Sequence, residues 1–286
     1  MFSNDDNAQQ LPKAKPVIGW PGGKRKLLKY LLPLVPEHDM YCEVFGGGLA
    51  MFLGKAESPA EVINDINSEL TSFYKVVQSH IDPLLAELEY VLNSSEIFID
   101  YLAQPGLTDI QRAARWFIRN KLSFGAMGFT FGVSKQCRSS SLGSRSNRLL
   151  AIRALNRRLN NVCIEHVPWE QCLKIYDRPG CFFFFDPPYI DAGGEAYAGW
   201  TEEELTKFCL RIRELKGKWL FTFQDCPLIH RLMQGFKIKQ VVRHNGIGNN
   251  GADRTGRVYR EVIISSDLRC AVPQRKYRPG KRISHP

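Results

Sequence analysis

The sequence predicts an α/β protein built on an open, doubly wound sheet and interrupted by a mainly helical insertion. Three observations carry this expectation. A short apolar strand, Met40 to Phe45, runs into Gly46-Gly47-Gly48 and a helix, and a second strand, Glu61 to Ile63, follows and ends at Asn64-Asp65. Strand, glycine turn, helix, strand, acid is the order of a dinucleotide-type half-fold. A later run that is apolar at every position, Cys181 to Phe185, stops at Asp186-Pro187-Pro188-Tyr189, as a central strand covered on both faces would. Between these segments the periodicity first turns helical and then lapses.

The elements follow in order. A glycine-rich turn, Trp20 to Lys24, leads into a helix pattern of Leu27, Leu28, Leu31 and Leu32. After the first strand a helix begins near Leu49, and after the second the spacing is helical from Ser68 to Phe98. From Leu122 to Arg148 a region rich in Gly, Ser, Phe and Arg has no long regular pattern, which marks an insertion. Strands return at Val162 to Ile164, Cys181 to Phe185, Trp219 to Phe223 and Val258 to Ser265, with a helix over Glu202 to Leu215. The expected organisation is a discontinuous core over 13–75 and 160–268, an insertion over 76–159, and a basic, proline-bearing tail over 269–286.

At 286 residues and 44% apolar composition, the chain suits one large domain or a core with a smaller insertion. Its formal charge of +10 gives a field that gathers polyanions, nucleic acid first and an anionic membrane surface second. No apolar run approaches the roughly 20 residues that cross a bilayer. The polar first residues carry Asp5 and Asp6 where a signal peptide would be basic, so a cytoplasmic protein is expected, held at the nucleoid through DNA. The 8 cysteines form no Cys-x-x-Cys pair and no histidines stand at metal spacing, so no metal is expected. Cys163, Cys172 and Cys181 are expected to be buried thiols.

The Asp-Pro-Pro-Tyr run is the strongest chemical signal. An Asp-Pro pair alone is ordinarily a turn; the whole motif after an unbroken apolar strand lies at the carboxyl edge of the sheet, where open α/β sheets bind ligands. Methyl transfer to an aromatic amine requires its lone pair to point at the electrophilic carbon, so both amine hydrogens must be gripped. Asp186 can accept one, the Pro187 carbonyl can accept the other because Pro188 keeps the strand from continuing, and Tyr189 can stack on the base. On the other side, Gly46 to Gly48 admit a ligand close to the main chain, and Asp65 can accept two ribose hydroxyls. The competing reading is that Asn64 and Asp65 begin the next helix. Trp20, Gly22, Gly23 and Lys24 offer an aromatic surface, flexible backbone and one cation; Lys24 as a solvated surface residue is the alternative. The lack of a Gly-x-x-x-x-Gly-Lys-Ser/Thr loop argues against a nucleoside triphosphatase.

In this order the pieces resemble the Dam-like (D12 class, group alpha) adenine-specific DNA methyltransferases, over about residues 17 to 266. The resemblance rests on Trp20, Gly22, Gly23 and Lys24, then Glu43, Phe45 and Gly46 to Gly48, then Asn64, Asp65 and Asn67, then Asp186 to Tyr189. It implies a Rossmann-like methyltransferase sheet with a helical target-recognition insertion, S-adenosylmethionine as cofactor, and methylation of the N6 amine of an adenine flipped out of double-stranded DNA. It also implies Asp186, Pro187, Pro188 and Tyr189 as catalytic residues. The cofactor would be bound by Trp20, Gly22, Gly23, Lys24, Glu43, Phe45, Gly46 to Gly48, Asp65 and Asp186. Lys216-Gly217-Lys218 is a weaker match, as is Arg112 to Gly132, where Lys121 and Ser123 fall in a segment similar to the family's DNA-contacting hairpin. The chain departs from the pattern at Leu49, where relatives carry a small residue, and at Pro168, where they carry an Asp near the donor's adenine. Met127 and Phe129 stand at hairpin positions that are polar or basic in similar proteins.

Lys135, Arg138, Arg145 and Arg148, in a Ser-Arg loop from Gln136 to Arg148, are expected to contact phosphates. Arg153, Arg157 and Arg158 either join them or form a solvated helix face. A second polar loop, Arg243 to Arg257, contributes Arg254 and Arg257, with an ordinary hairpin as the alternative. The rival functions are amino-methylation of adenine in RNA or of cytosine N4 in DNA, and a non-catalytic nucleic-acid binder. A cognate restriction enzyme is a partner that the family resemblance allows.

Overall fold

The computed structural model describes residues 12–126, 128–132, 142–190, 200–244 and 258–269. The chain divides into two compact units, residues 1–33 with 39–175, and residues 34–38 with 176–286.

In the first unit, the glycine-rich turn enters a short helical segment, Lys24–Leu27 followed by α1 (Leu28–Leu31), with Leu27 and Leu31 buried. Three strands follow, β1 (Met40–Glu43), β2 (Ala60–Asn64) and β3 (Val162–Glu165). They pair in parallel with β2 between the other two, Cys42 opposite Val62 and Val62 opposite Cys163. Helix α2 (Ala50–Gly54) links β1 to β2. Among the described residues, five α-helices lie between β2 and β3: α3 (Ser68–Ser79), α4 (Ile81–Glu89), α5 (Ser95–Ala103), α6 (Asp109–Leu122) and α7 (Arg145–Leu159). Polar residues start four of them, with the side chains of Asn67, Ser94, Thr108 and Ser144 accepting from N–H groups of the first turn. Phe73 of α3 stacks on Phe117 of α6 at 5.5 Å, joining the apolar stripes of two long helices. Helix α8 (Trp169–Tyr176) follows β3.

In the second unit, β4 (Cys181–Phe185) is buried at every position and pairs in parallel with β5 (Lys218–Gln224). Helix α9 (Glu202–Ile212) connects them, and its Phe208 packs edge-on against Phe185 and Phe221. After α10 (Pro227–Leu232) come β6 (Phe236–His244) and β7 (Val258–Arg269). β7 pairs antiparallel with both β5 and β6. Parallel strands joined by helices, with one antiparallel strand placed among them, make this a Rossmann-like α/β fold.

The sequence pattern missed α6, α8, α10 and β6. The alternation of β6 is broken by a register shift between Phe236 and Ile238, after which Val241 is buried and Val242 is exposed, so no single period runs through the strand. The two units do not follow the bounds of the expected core over 13–75 and 160–268 and insertion over 76–159, and they leave the functional division of the chain open to proposal. The helical stretch belongs to the same unit as β1, β2 and β3. Gln78 Nε2 donates to the carbonyls of Leu159 and Val162 at 2.7 and 2.8 Å, and Asn156 Nδ2 donates to those of Val77 and Gln78 at 2.7 and 3.1 Å. Cys172 and Cys181 are buried, whereas Cys163 is exposed because β3 turns that face outward. Of the expected tail, Arg269 ends β7 and the remainder lies outside the described residues.

A buried ion cluster ties α7 to β2. Glu61, 7% exposed, accepts from Lys55 Nζ at 2.5 Å and from both terminal nitrogens of Arg158, one at 2.9 Å. The Arg158 guanidinium lies 3.7 Å from the centroid of the Phe52 ring, so this arginine belongs neither to a solvated face nor to a phosphate-binding set. Burial works against the charge on Glu61, but the bonds from Arg158 and Lys55 outweigh it and hold the carboxyl below its usual range. Glu61→Ala, which strands two cations, is expected to destabilise the fold by about 3–5 kcal/mol in chemical denaturation. Because the folded-state pKa is depressed, this contribution is present at neutral pH and is lost as the pH falls through that folded value. The stability difference between wild type and variant should therefore shrink in acid.

Candidate active site

One group of candidate residues lies in the first unit, around the end of β1. Glu43 is buried, and its Oε2 accepts from the Tyr41 hydroxyl at 2.6 Å and from the Phe52 N–H at 2.8 Å. The second bond caps α2, a task that the residue before the helix, apolar Leu49, cannot perform. Leu49 takes a left-handed conformation, φ 56°, and is itself buried.

The glycine turn between them is fixed peptide by peptide. The Gly46 N–H donates to the Asn64 carbonyl at 2.8 Å, and the Leu49 N–H donates to the Gly46 carbonyl at 2.9 Å. The Gly47 N–H donates to Asp65 Oδ2 at 2.8 Å, and the Gly47 carbonyl accepts from the Tyr74 hydroxyl at 2.7 Å. Burial, with the Asp65 charge nearby, pushes the Tyr74 hydroxyl well above its ordinary pKa and keeps it a donor. Gly47 has φ +46°, and a Cβ there would stand 2.6 Å from the Trp20 indole. The need for glycine is therefore imposed first by the chain itself, since Trp20 lies against the turn. Lys24 is buried and donates to the Gly22 carbonyl at 2.9 Å, which sets aside the solvated-surface alternative.

Asp65 is half-buried, and its second oxygen accepts from the Asn67 N–H at 2.9 Å. Burial raises its pKa, opposed by the bonds from Gly47 and Asn67. Helix α3 is capped by Asn67, not by Asn64 or Asp65. Asn64 instead bridges the ends of strands, donating to the Val44 and Val167 carbonyls at 3.0 and 3.1 Å. A carboxylate offers about four acceptor positions. With backbone N–H groups of Gly47, Asn67 and Ile66 directed at it, Asp65 still keeps acceptor capacity for a hydroxyl, so its chemistry fits a ribose. Pro168 stands ahead of α8, its carbonyl accepting from the Cys172 N–H at 3.0 Å.

The other group lies in the second unit, where β4 ends. Asp186 is half-buried, and its Oδ1 is 3.0 Å from the Thr222 hydroxyl, which also lies 3.2 Å from the Phe185 carbonyl. Thr222 is fully buried on β5, so it steadies the carboxylate from within the sheet. Pro187 is buried, and Pro188 has no N–H to extend a ladder. The Tyr189 hydroxyl donates to Glu261 Oε1 at 2.5 Å, and its ring meets Phe223 edge-on at 5.3 Å.

The expected DNA-contacting residues fare differently from one another. Lys121 is half-buried near the end of α6, and burial lowers its pKa. Ser123 shapes the segment after α6, accepting from the Gly128 N–H at 2.8 Å and bridging to Phe131. Arg145 is exposed, 5.2 Å from the Tyr90 ring centroid. Arg148 requires a correction: it lies in the first turn of α7 rather than in a loop and is 8% exposed. Its guanidinium donates to the Leu88 carbonyl at 2.9 Å and approaches that of Leu142 at 3.5 Å. That pairing binds α4 to α7. Lys135, Arg138, Met127, Arg254 and Arg257 lie outside the described residues.

Sequence reasoning missed Tyr74, Thr222 and Glu261. Thr222 and Glu261 were legible as polar residues inside apolar strands, whereas Tyr74 looks like any aromatic core residue of an amphipathic helix.

Residues 20–247 match the D12 class N6 adenine-specific DNA methyltransferase family. The chain is 27% identical to the Type II methyltransferase M1.LlaDCHI of Lactococcus lactis subsp. cremoris over 277 residues, covering 88% of this chain and 95% of that one. It is 25% identical to the Type II methyltransferase M.MjaIII of Methanocaldococcus jannaschii, covering 88% and 99%.

The glycine turn yields a direct test. Gly47→Ala combines a left-handed backbone with a clash on Trp20 and is expected to destabilise the first unit by about 1–3 kcal/mol. Urea denaturation measures this, and a midpoint equal to that of the wild type would show that Trp20 does not constrain the turn.

Proposed function

The chain belongs to the D12 class N6 adenine-specific DNA methyltransferase family and is a DNA methyltransferase, and on that premise we propose that it transfers a methyl group from S-adenosylmethionine to the N6 amine of an adenine flipped out of duplex DNA. The observation that carries this reading is the Asp-Pro-Pro-Tyr motif at the end of wholly buried β4, with Asp186 bonded to Thr222 and Tyr189 to Glu261.

When bound, the donor supplies an electrophilic methyl carbon on a sulfonium. Asp65 would accept the ribose hydroxyls and the turn of Gly46 to Gly48 would let the methionine portion approach the main chain, with Trp20 bordering that turn; Lys24 is proposed to complete the donor-binding set. Asp186 would accept one hydrogen of the adenine amine and the Pro187 carbonyl the other, which would free the nitrogen lone pair for attack; as the C–N bond forms and the methyl–sulfur bond breaks, the thioether would leave and the amine would give up one proton on the Asp186 side. Tyr189 stacks on the extruded base. Stacking of this kind is worth roughly 1–3 kcal/mol, comparable to the few kcal/mol that unstacking a base requires.

Lys121, Ser123 and Arg145, with Lys135, Arg138, Arg254 and Arg257, are proposed to contact the duplex. Residues 76–159 are proposed to carry target recognition, although they cluster with β1, β2 and β3. The Type II names of the relatives support pairing with a cognate restriction enzyme.

The test is incubation with radiolabelled S-adenosylmethionine and unmethylated duplex DNA, followed by nucleoside separation. Label should appear in N6-methyladenine; label in N4-methylcytosine, or on RNA alone, would replace the substrate assignment. Asp186→Ala, with an unchanged circular dichroism spectrum, should transfer no methyl group, and full activity would refute the catalytic assignment. Asp65→Asn should weaken donor binding by about tenfold or more in calorimetry, from the loss of charge-assisted hydrogen bonds, while DNA affinity at fixed salt stays unchanged.

A further inference from the structure

An aromatic ring that receives a base works best when its plane is already set, because every torsion frozen during capture subtracts from the stacking gain. The Tyr189 ring is held at two points. Its edge-on contact with Phe223 has an interplanar angle of 71°, and its hydroxyl, at the far end of the side chain, donates to Glu261 Oε1 at 2.5 Å. Two contacts at opposite ends of a side chain with two rotatable bonds define its plane.

Glu261 is out of place in the strand that carries it. It is fully buried on β7, followed directly by Val262, Ile263 and Ile264, all buried as well. It stands opposite Gln224 on β5 and Val241 on β6, inside a ladder that any β-branched residue would satisfy. A carboxylate removed from water is kept against its desolvation penalty, and replacing such a group by an apolar residue of similar size is often neutral or stabilising for the fold. Among the described residues the bond from Tyr189, 72 positions away in sequence, ties this acid to the end of β4.

We propose that Glu261 is a positioning residue for methyl transfer: by fixing the Tyr189 hydroxyl it preforms the aromatic platform on which the target base lies. This rests on the reading of Asp186 to Tyr189 as the amine-binding motif. In this role Glu261 acts on the base through the tyrosine. Removing either end of the bond leaves the ring present but without this anchor, so the rate of transfer falls while donor affinity does not.

The experiment is a double-mutant cycle on the full-length protein, using single-turnover methylation of unmethylated plasmid DNA with saturating radiolabelled S-adenosylmethionine. Tyr189→Phe and Glu261→Met should each slow transfer by about tenfold, equivalent to about 1.4 kcal/mol. The double variant should be no slower than the slower single, because both remove the same bond. Glu261→Gln, which keeps an oxygen able to accept from the hydroxyl, should recover most of the rate, and calorimetric donor affinity should match the wild type throughout. A residue needed only for folding would lower the melting temperature without this pattern. Wild-type rates in Tyr189→Phe, or losses that simply multiply in the double variant, would overturn the proposal. Should Glu261→Met fail to fold, the Tyr189→Phe rate alone decides. If Asp186→Ala is inactive while Tyr189→Phe is fully active, only the positioning role fails; if Asp186→Ala is active, the reading of the motif fails with it.

Discussion

A carboxylate taken out of water must be paired, and in this protein the positions of those pairings dictate the positions of the loops. Glu43 and Glu61 in the first unit and Glu261 in the second are all buried on strands. Each accepts hydrogen bonds from outside its own strand: Glu43 from the Phe52 N–H, beside one from Tyr41 on the same strand, Glu61 from Lys55 and Arg158, Glu261 from Tyr189. Leaving any of them unpaired in a low-dielectric interior would cost several kcal/mol, a large part of a domain's net stability. The segments supplying the partners are therefore the least free to move. They include the start of α2 just after the glycine turn, the helix α7 that closes against β2, and Tyr189 after β4.

The glycine turn shows the same constraint at the scale of one peptide. Both polar groups of Gly47 are engaged, the N–H by Asp65 and the carbonyl by Tyr74, while its missing side chain admits Trp20. A ligand reaching this turn meets a backbone that is already shaped, and binding need not be preceded by ordering. Asp65 has two duties: it holds the turn from which it is separated by a helix and a strand, and it keeps acceptor capacity for hydroxyl groups.

Positive charge is distributed less simply than its total implies. The net charge of +10 fits a protein that works on DNA. Yet Arg148 and Arg158 spend their guanidinium groups inside the fold, one on carbonyls that join α4 to α7 and the other on Glu61. Arg145, only three positions before Arg148, is exposed. Arg145 pairs with Glu89 at 3.8 Å near the surface while Arg148 turns inward, because residues three apart on a helix differ by about 60° in direction.

The sequence by itself determined the kinds of element, most of their order, the α/β class, and the motif after β4, because apolar periodicity, glycine and proline act locally on the backbone. Cys181 to Phe185 could only be a buried strand, and two prolines could only end it. What it left open was the set of partners. Tyr74 reaches Gly47 across 27 positions, Tyr189 reaches Glu261 across 72 and Arg158 reaches Glu61 across 97. No local period encodes such distances; they are fixed by which strands lie side by side and in what register. The same reason hid β6, whose register shift breaks its alternation, and the true extent of α7, whose first turn reads as a serine-arginine loop until Ser144 is seen capping it. Tertiary structure alone decided which polar residues meet, since burial turns a chance neighbour into an obligatory one.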